Sequence, residues 1–179
     1  MAKTAPLGDK LLQTTEEKIE SSLVPENRTD YMKVVVAGMH AGLSGGPKSI
    51  IAALKDSKDP VNDCAVGAVH LVLLLYRQTR GTMPIRAMIP AGMTLMLHAL
   101  DFVDKLGTKI GNAELDRATH IYANTMFKSL GITPQMIKKG HDSIEKAVKD
   151  PAHLELMQRK AGLLKAPNAS TPTGDANGV

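Results

Sequence analysis

The sequence predicts an all-α protein: an irregular bundle of about six or seven helices with a central apolar helical hairpin and a flexible C-terminal tail. Three observations carry this. Apolar residues recur at the helical period through most of the chain, as in Leu115, Thr119, Tyr122, Met126 and Leu130. The hydrophobic fraction is 43% but aromatic residues make up only 3%, with no tryptophan. The core must then be Leu, Ile, Val, Ala and Met, a set that suits close helix packing better than a β-sandwich. Proline also stands directly after a capping residue in Asp59-Pro60, Thr133-Pro134 and Asp150-Pro151, a pattern that starts helices.

In chain order, Asp9 caps a first helix that runs to about Leu23 and stops at Pro25. A second runs from Glu26 to about Leu43, although its Val34-Val-Val36 run suits a strand equally. The loop Gly42-Leu-Ser-Gly-Gly-Pro47 ends it, and Pro47 opens a short helix to about Lys55. The third main helix begins at Asp59-Pro60 and reaches about Thr79; the fourth begins at Pro84 and reaches about Lys105, before Gly107. Pro90 and Gly92 inside the fourth should kink it or split it, because proline lacks a backbone donor and clashes one turn back. Asn112 is the expected cap of the fifth helix, with Glu114 and Asp116 at its positive end and Gly131 at its end. Thr133 caps the sixth, which carries a narrow apolar stripe of Ile137, Gly140, Ile144 and Ala147. A last helix runs from Asp150-Pro151 to about Leu164. Residues 1–165 are expected to form one domain, and the polar stretch 166–179 a tail.

The hairpin formed by residues 64–106 is the strongest feature. Its first arm, residues 64–76, carries no charge, and its second is rich in methionine. It must be covered by this chain, by a neighbouring subunit or by lipid. The first arm would rise only about 20 Å as a helix, against about 30 Å of bilayer hydrocarbon. Arg86 and Pro90 interrupt the second. Neither arm is a conventional spanning helix. Leu71, Leu74, Met88, Met93 and Met96 are the expected interaction residues of this hairpin. Small residues at Gly67, Ala68, Ala91, Gly92, Ala113, Ala118 and Ala123 should let the helix backbones approach closely.

Catalytic and metal chemistry find little support. Gly42-Leu-Ser-Gly-Gly-Pro47-Lys48-Ser49 misses a P-loop by one residue, proline standing where glycine should present a backbone N–H to phosphate. Alternating strand–helix units are missing too. The methionines near His98 and Cys64 are soft ligands, but their spacing does not bring them to one face. The six histidines show no metalloenzyme spacing; His70 and His98 lie in the two arms and could face each other. Cys64, the only cysteine, reads as a buried structural thiol and excludes an internal disulfide. The expectation is therefore no enzyme, no cofactor and no metal.

The formal net charge is +4, with residues 1–30 net acidic and 133–165 net basic. That division suits contacts between neighbouring subunits. Nucleic acid is disfavoured, because dense arginine clusters with stacking aromatics are missing. The N-terminus lacks the apolar segment of a secretory signal.

In general character the chain resembles small virion proteins of tailed bacteriophages. The residues behind the resemblance are the polar tail 166–179, which begins Ala166-Pro-Asn-Ala-Ser-Thr-Pro, and the capped helical module 112–134. The resemblance is one of style and carries no functional residue across. It implies a compact helical structural subunit of a virion, made in the bacterial cytoplasm, whose partners are other virion proteins and copies of itself. The alternative is a protein stored in the particle and ejected, with the hairpin entering a host membrane; a degenerate P-loop nucleotide-binding protein is a further alternative.

Overall fold

A computed structural model of the chain describes residues 6–43, 54 and 57–149. Among these residues every regular element is a helix: α1 (Lys10–Ser22), α2 (Pro25–Gly38), a π turn (Met39–Leu43), α3 (Pro60–Gln78), α4 (Ile85–Lys105), α5 (Asn112–Ser129) and α6 (Pro134–Lys149). The all-α prediction is met. The ambiguous Val34-Val-Val36 run lies in α2, with Val34 and Val35 buried and Val36 exposed. The expected short helix after Pro47 falls outside the described residues apart from Leu54, which is helical and buried. The last helix after Asp150 and the tail 166–179 also lie outside them.

Three of the expected caps form. The Asp9 carboxylate accepts the Leu12 N–H at 3.0 Å, Asp59 accepts the Asn62 N–H at 3.2 Å, and the Thr133 hydroxyl accepts the Met136 N–H at 3.3 Å. Each such cap is worth about 1 kcal/mol, because it satisfies a donor the helix cannot. Asn112 does not cap α5. Gly111 takes the cap position, Asn112 is the first helical residue, and the Glu114 carboxylate turns back to accept the Gly111 N–H at 3.0 Å. The acid thus supplies half of a capping box. Gly107 and Gly131, at φ +103° and +70°, follow α4 and α5 in the left-handed conformation that glycine adopts without penalty. The second helix differs from expectation at its end, where α-helical bonding stops at Gly38 and a π turn carries the chain to Leu43.

Pro90 does not split α4, which is continuous from Ile85 to Lys105. Proline denies a donor to the Arg86 carbonyl. Arg86 lies on the exposed first turn, where water can take that carbonyl. One residue before Pro90, the Ile89 carbonyl accepts the Tyr122 hydroxyl at 2.8 Å. The neighbouring helix α5 therefore fastens the helix where its own ladder is weakest.

The chain divides into two compact units after Gly131. In the first, α4 is the hub. It packs against α1, α2, α3 and α5, and α3 in turn packs against α2 and α5. From Thr94 to Val103 only Phe102 reaches the surface in part. Each buried Leu or Met here contributes about 1.5–3 kcal/mol relative to exposure. Two glycines set the closest approaches. A methyl group on Gly38 of α2 would overlap the Leu95 side chain of α4. One on Gly92 of α4 would overlap the Tyr122 hydroxyl and press on Val72 of α3. Among the small residues expected to permit close packing, Ala68, Ala91, Gly92 and Ala118 are buried; Gly67 and Ala123 are half-buried, and Ala113 is exposed.

In the second unit α6 is amphipathic by sequence, and its Met136 and Ile137 are exposed. Ile137 and Gly140, three residues apart, fall on one face.

Candidate functional site

The greasy hairpin is α3 and α4, and most of its apolar surface is covered by this chain itself. Leu71, Met88 and Met96 are buried in the core, Met93 is half-buried against it, and Leu74 is 47% exposed. Leu71, Met88 and Met96 are thereby joined in a single apolar core, while Leu74 stands on the outer face of α3.

Four polar joints cross the interior, and all involve α4. Tyr31 of α2 and Thr94 share a buried hydrogen bond of 2.8 Å between their hydroxyls. The Tyr122 hydroxyl of α5 donates to the Ile89 carbonyl. His98 Nε2 lies 3.1 Å from Glu16 Oε1 of α1, both residues buried. Asp101 accepts the N–H groups of Gly8 and Asp9 at 2.8 and 3.2 Å, and also receives the Lys105 ammonium. The last two joints pin the start and the middle of α1 onto the far half of α4. Every buried side-chain nitrogen or oxygen among the described residues has a hydrogen-bond partner.

Electrostatics make these groups quiet. Burial pushes the Tyr31 phenol up to about 12, against the opposing effect of its bond to Thr94. Burial also raises Tyr122. The Cys64 thiol is pushed up to about 12 by burial and then by the Asp63 charge. A thiol so disfavoured as thiolate is a poor nucleophile and a poor ligand. Burial alone would raise the Asp101 carboxyl, but the Lys105 ammonium and the N–H groups of Asp9 and Gly8 outweigh it and hold it below its usual value.

The histidine expectation needs correction. His70 is exposed and His98 is buried against Glu16, so the two do not face each other across the hairpin. Among the described residues, His141, Asp142 and Glu145 bring ligand atoms within 4.8 Å of one another on α6. All three are exposed on one helix turn, an ordinary solvated surface, and no metal is assigned there. The near-P-loop residues Lys48 and Ser49 lie outside the described residues.

Sequence reasoning overlooked Glu16, Asp101, Thr94 and Tyr31. A signal existed for the first. Leu12, Glu16 and Ile19 fall at the spacing of one helix face, so a carboxylate stood on an apolar stripe.

Comparisons with family models, with curated proteins and with solved structures return no match.

The outer end of the hairpin is the most distinctive surface. The turn between α3 and α4 is closed by the Gly81 N–H donating to the Tyr76 carbonyl at 2.9 Å and the Thr82 N–H to Thr79 at 3.1 Å. Arg80 and Gly81 sit there at φ 53° and 75°. Arg77, Arg80 and Arg86 are all exposed around it, with Leu74 and Ile85 exposed beside them. No helix among the described residues is long and apolar enough to cross a membrane.

Proposed function

We propose that the chain is a non-enzymatic structural subunit of a larger assembly, and that the assembly is the virion of a tailed bacteriophage, as its general character implies. One observation supports this most. Among the described residues the buried polar side chains are engaged in joining helices to α4. A catalytic group needs a side turned toward a reacting atom; these turn toward other helices. The chain's chemistry goes into holding a shape, and its outer faces are left to meet partners, copies of itself among them.

The ejection reading asks more of the molecule. For the hairpin to enter a bilayer, α3 and α4 would have to leave α2 and α5, exposing Leu71, Met88, Met96 and the Tyr31–Thr94 joint.

Mass spectrometry of purified phage particles whose genome encodes this chain tests the reading. Several copies per particle are expected, with sedimentation velocity of the free chain showing concentration-dependent association. A chain that is absent from particles and strictly monomeric in solution overturns it.

A further inference from the structure

We propose that the arginine-bearing end of the α3–α4 hairpin docks on an anionic phospholipid surface. The inference does not depend on the virion reading.

Between Asp63 and Asp101 the sequence holds no carboxylate, and its only Arg or Lys residues are Arg77, Arg80 and Arg86. The topology gathers all three at one end of the bundle, on the last turn of α3, in the connecting turn and on the first turn of α4. Each is exposed, and none forms an ion pair with a described residue. The turn that carries them is internally braced: besides its backbone bonds, the Thr79 hydroxyl donates to the Tyr76 carbonyl at 2.9 Å and the Thr82 hydroxyl to the Thr79 carbonyl at 2.8 Å. Little ordering remains to be done when a ligand arrives.

The occupant follows from what stands beside the arginines. Guanidinium groups match phosphodiester oxygens with two parallel hydrogen bonds. Leu74, 47% exposed, lies one turn before Arg77 and Gln78 on the same face of α3, and Ile85, 49% exposed, precedes Arg86. Apolar side chains beside cations suit the boundary between headgroups and acyl chains. A nucleic acid would leave those apolar groups against water or sugar, and the end offers no exposed aromatic ring for a base; Tyr76 is half-buried. With no spanning helix among the described residues, docking is at the surface, and α4 keeps its place in the core.

An arginine near an anionic bilayer contributes about 1 kcal/mol, so each neutralisation should weaken partitioning about fivefold and all three roughly a hundredfold. The test is sedimentation of the full chain with phosphatidylcholine vesicles, with and without phosphatidylglycerol. Expected are binding to the mixed vesicles alone, loss of binding as salt rises, and roughly a hundredfold weakening in R77Q/R80Q/R86Q. An Ile85→Ser chain should bind severalfold more weakly at an unchanged melting temperature. A control, K10Q/K18Q/K128Q, removes the same charge from exposed positions elsewhere and should bind as the parent does. The proposal is overturned if the parent chain ignores anionic vesicles or binds neutral ones equally. It is equally overturned if the control loses as much as the arginine variant, or if a DNA duplex or polyglutamate binds the arginines more tightly than vesicles do.

Discussion

His98 Nε2 and Glu16 Oε1 lie 3.1 Å apart, joining α4 to α1 across a contact from which both side chains are almost shielded from water. Removing one partner strands the other. His98→Ala leaves the Glu16 side chain buried without its partner, which should cost about 2–3 kcal/mol. The melting temperature should fall by roughly 2–4 °C per kcal/mol. The joint replacement Glu16→Leu with His98→Leu should recover most of that loss, because an apolar pair leaves no orphan. Thermal melts followed by circular dichroism check both; equal losses in the single and double variants would count against the joint.

The Tyr31–Thr94 pair allows a cleaner separation. Thr94→Val should cost about 1–3 kcal/mol by orphaning a buried phenol hydroxyl. In a Tyr31→Phe background the same change should cost much less. A coupling of at least about 0.5 kcal/mol in a double-mutant cycle from urea titrations is expected, since the residues touch; additive effects would refute the pairing.

Gly92→Ala should destabilise by about 1–3 kcal/mol through overpacking against Tyr122 and Val72. Tyr122→Phe removes the nearest obstacle, so Gly92→Ala should cost less on that background. Urea midpoints of the four chains measure it.

Asp101 predicts an acid-sensitive hold on α1. Its carboxyl is depressed below the usual 3.8, so the folded chain takes up this proton less readily than the unfolded one. The joint therefore contributes fully above that value and is lost as pH falls through the lower folded value. Stability should drop below about pH 4. Asp101→Asn should be less stable at neutral pH and show a shallower decline in acid. Urea midpoints taken from neutral pH downward would show it; identical slopes in both chains would contradict the assignment.

Cys64 should resist thiol reagents. Fully buried, with its thiol pushed up to about 12, it should react with a disulfide reagent at pH 8 only as fast as the chain opens, and at once in denaturant. Rapid labelling of the native chain would place the thiol at the surface.

The helices were legible because their signals are local. Asp9, Asp59 and Thr133 announce their caps within three residues, and the hairpin announces itself by composition. Asn112 misled because the helix begins one residue earlier than its side chain suggests: Gly111 takes the cap position, and Glu114 reaches back to the Gly111 N–H. Pro90 does not split α4, because the carbonyl it orphans belongs to the exposed Arg86, and Tyr122, a partner thirty-three positions away, holds the neighbouring Ile89 carbonyl. The joints of α4 were hidden for the same reason. A glutamate and a histidine eighty-two positions apart show no relation until both helices exist. Arg77, Arg80 and Arg86 fall within ten residues of the sequence, but that Leu74 and Ile85 stand exposed beside them was not legible, since periodicity does not tell which apolar residues a neighbour leaves uncovered.

The convergence of four neighbours on α4 also bears on how this chain can change over generations. The neighbours meet α4 through different chemistries: carboxylates at His98 and Asp101 for α1, paired hydroxyls at Thr94 for α2, and a close approach at Gly92 for α3 and α5. Drift at these positions must proceed in matched pairs, so descendants should alter residues 16 and 98, 31 and 94, or 92 and 122 together or not at all. In the turn between α3 and α4, Met83 packs on the core and Gly81 needs its positive φ, but the exposed Thr79, Arg80 and Thr82 carry no such tie and are free to diversify with whatever surface they meet.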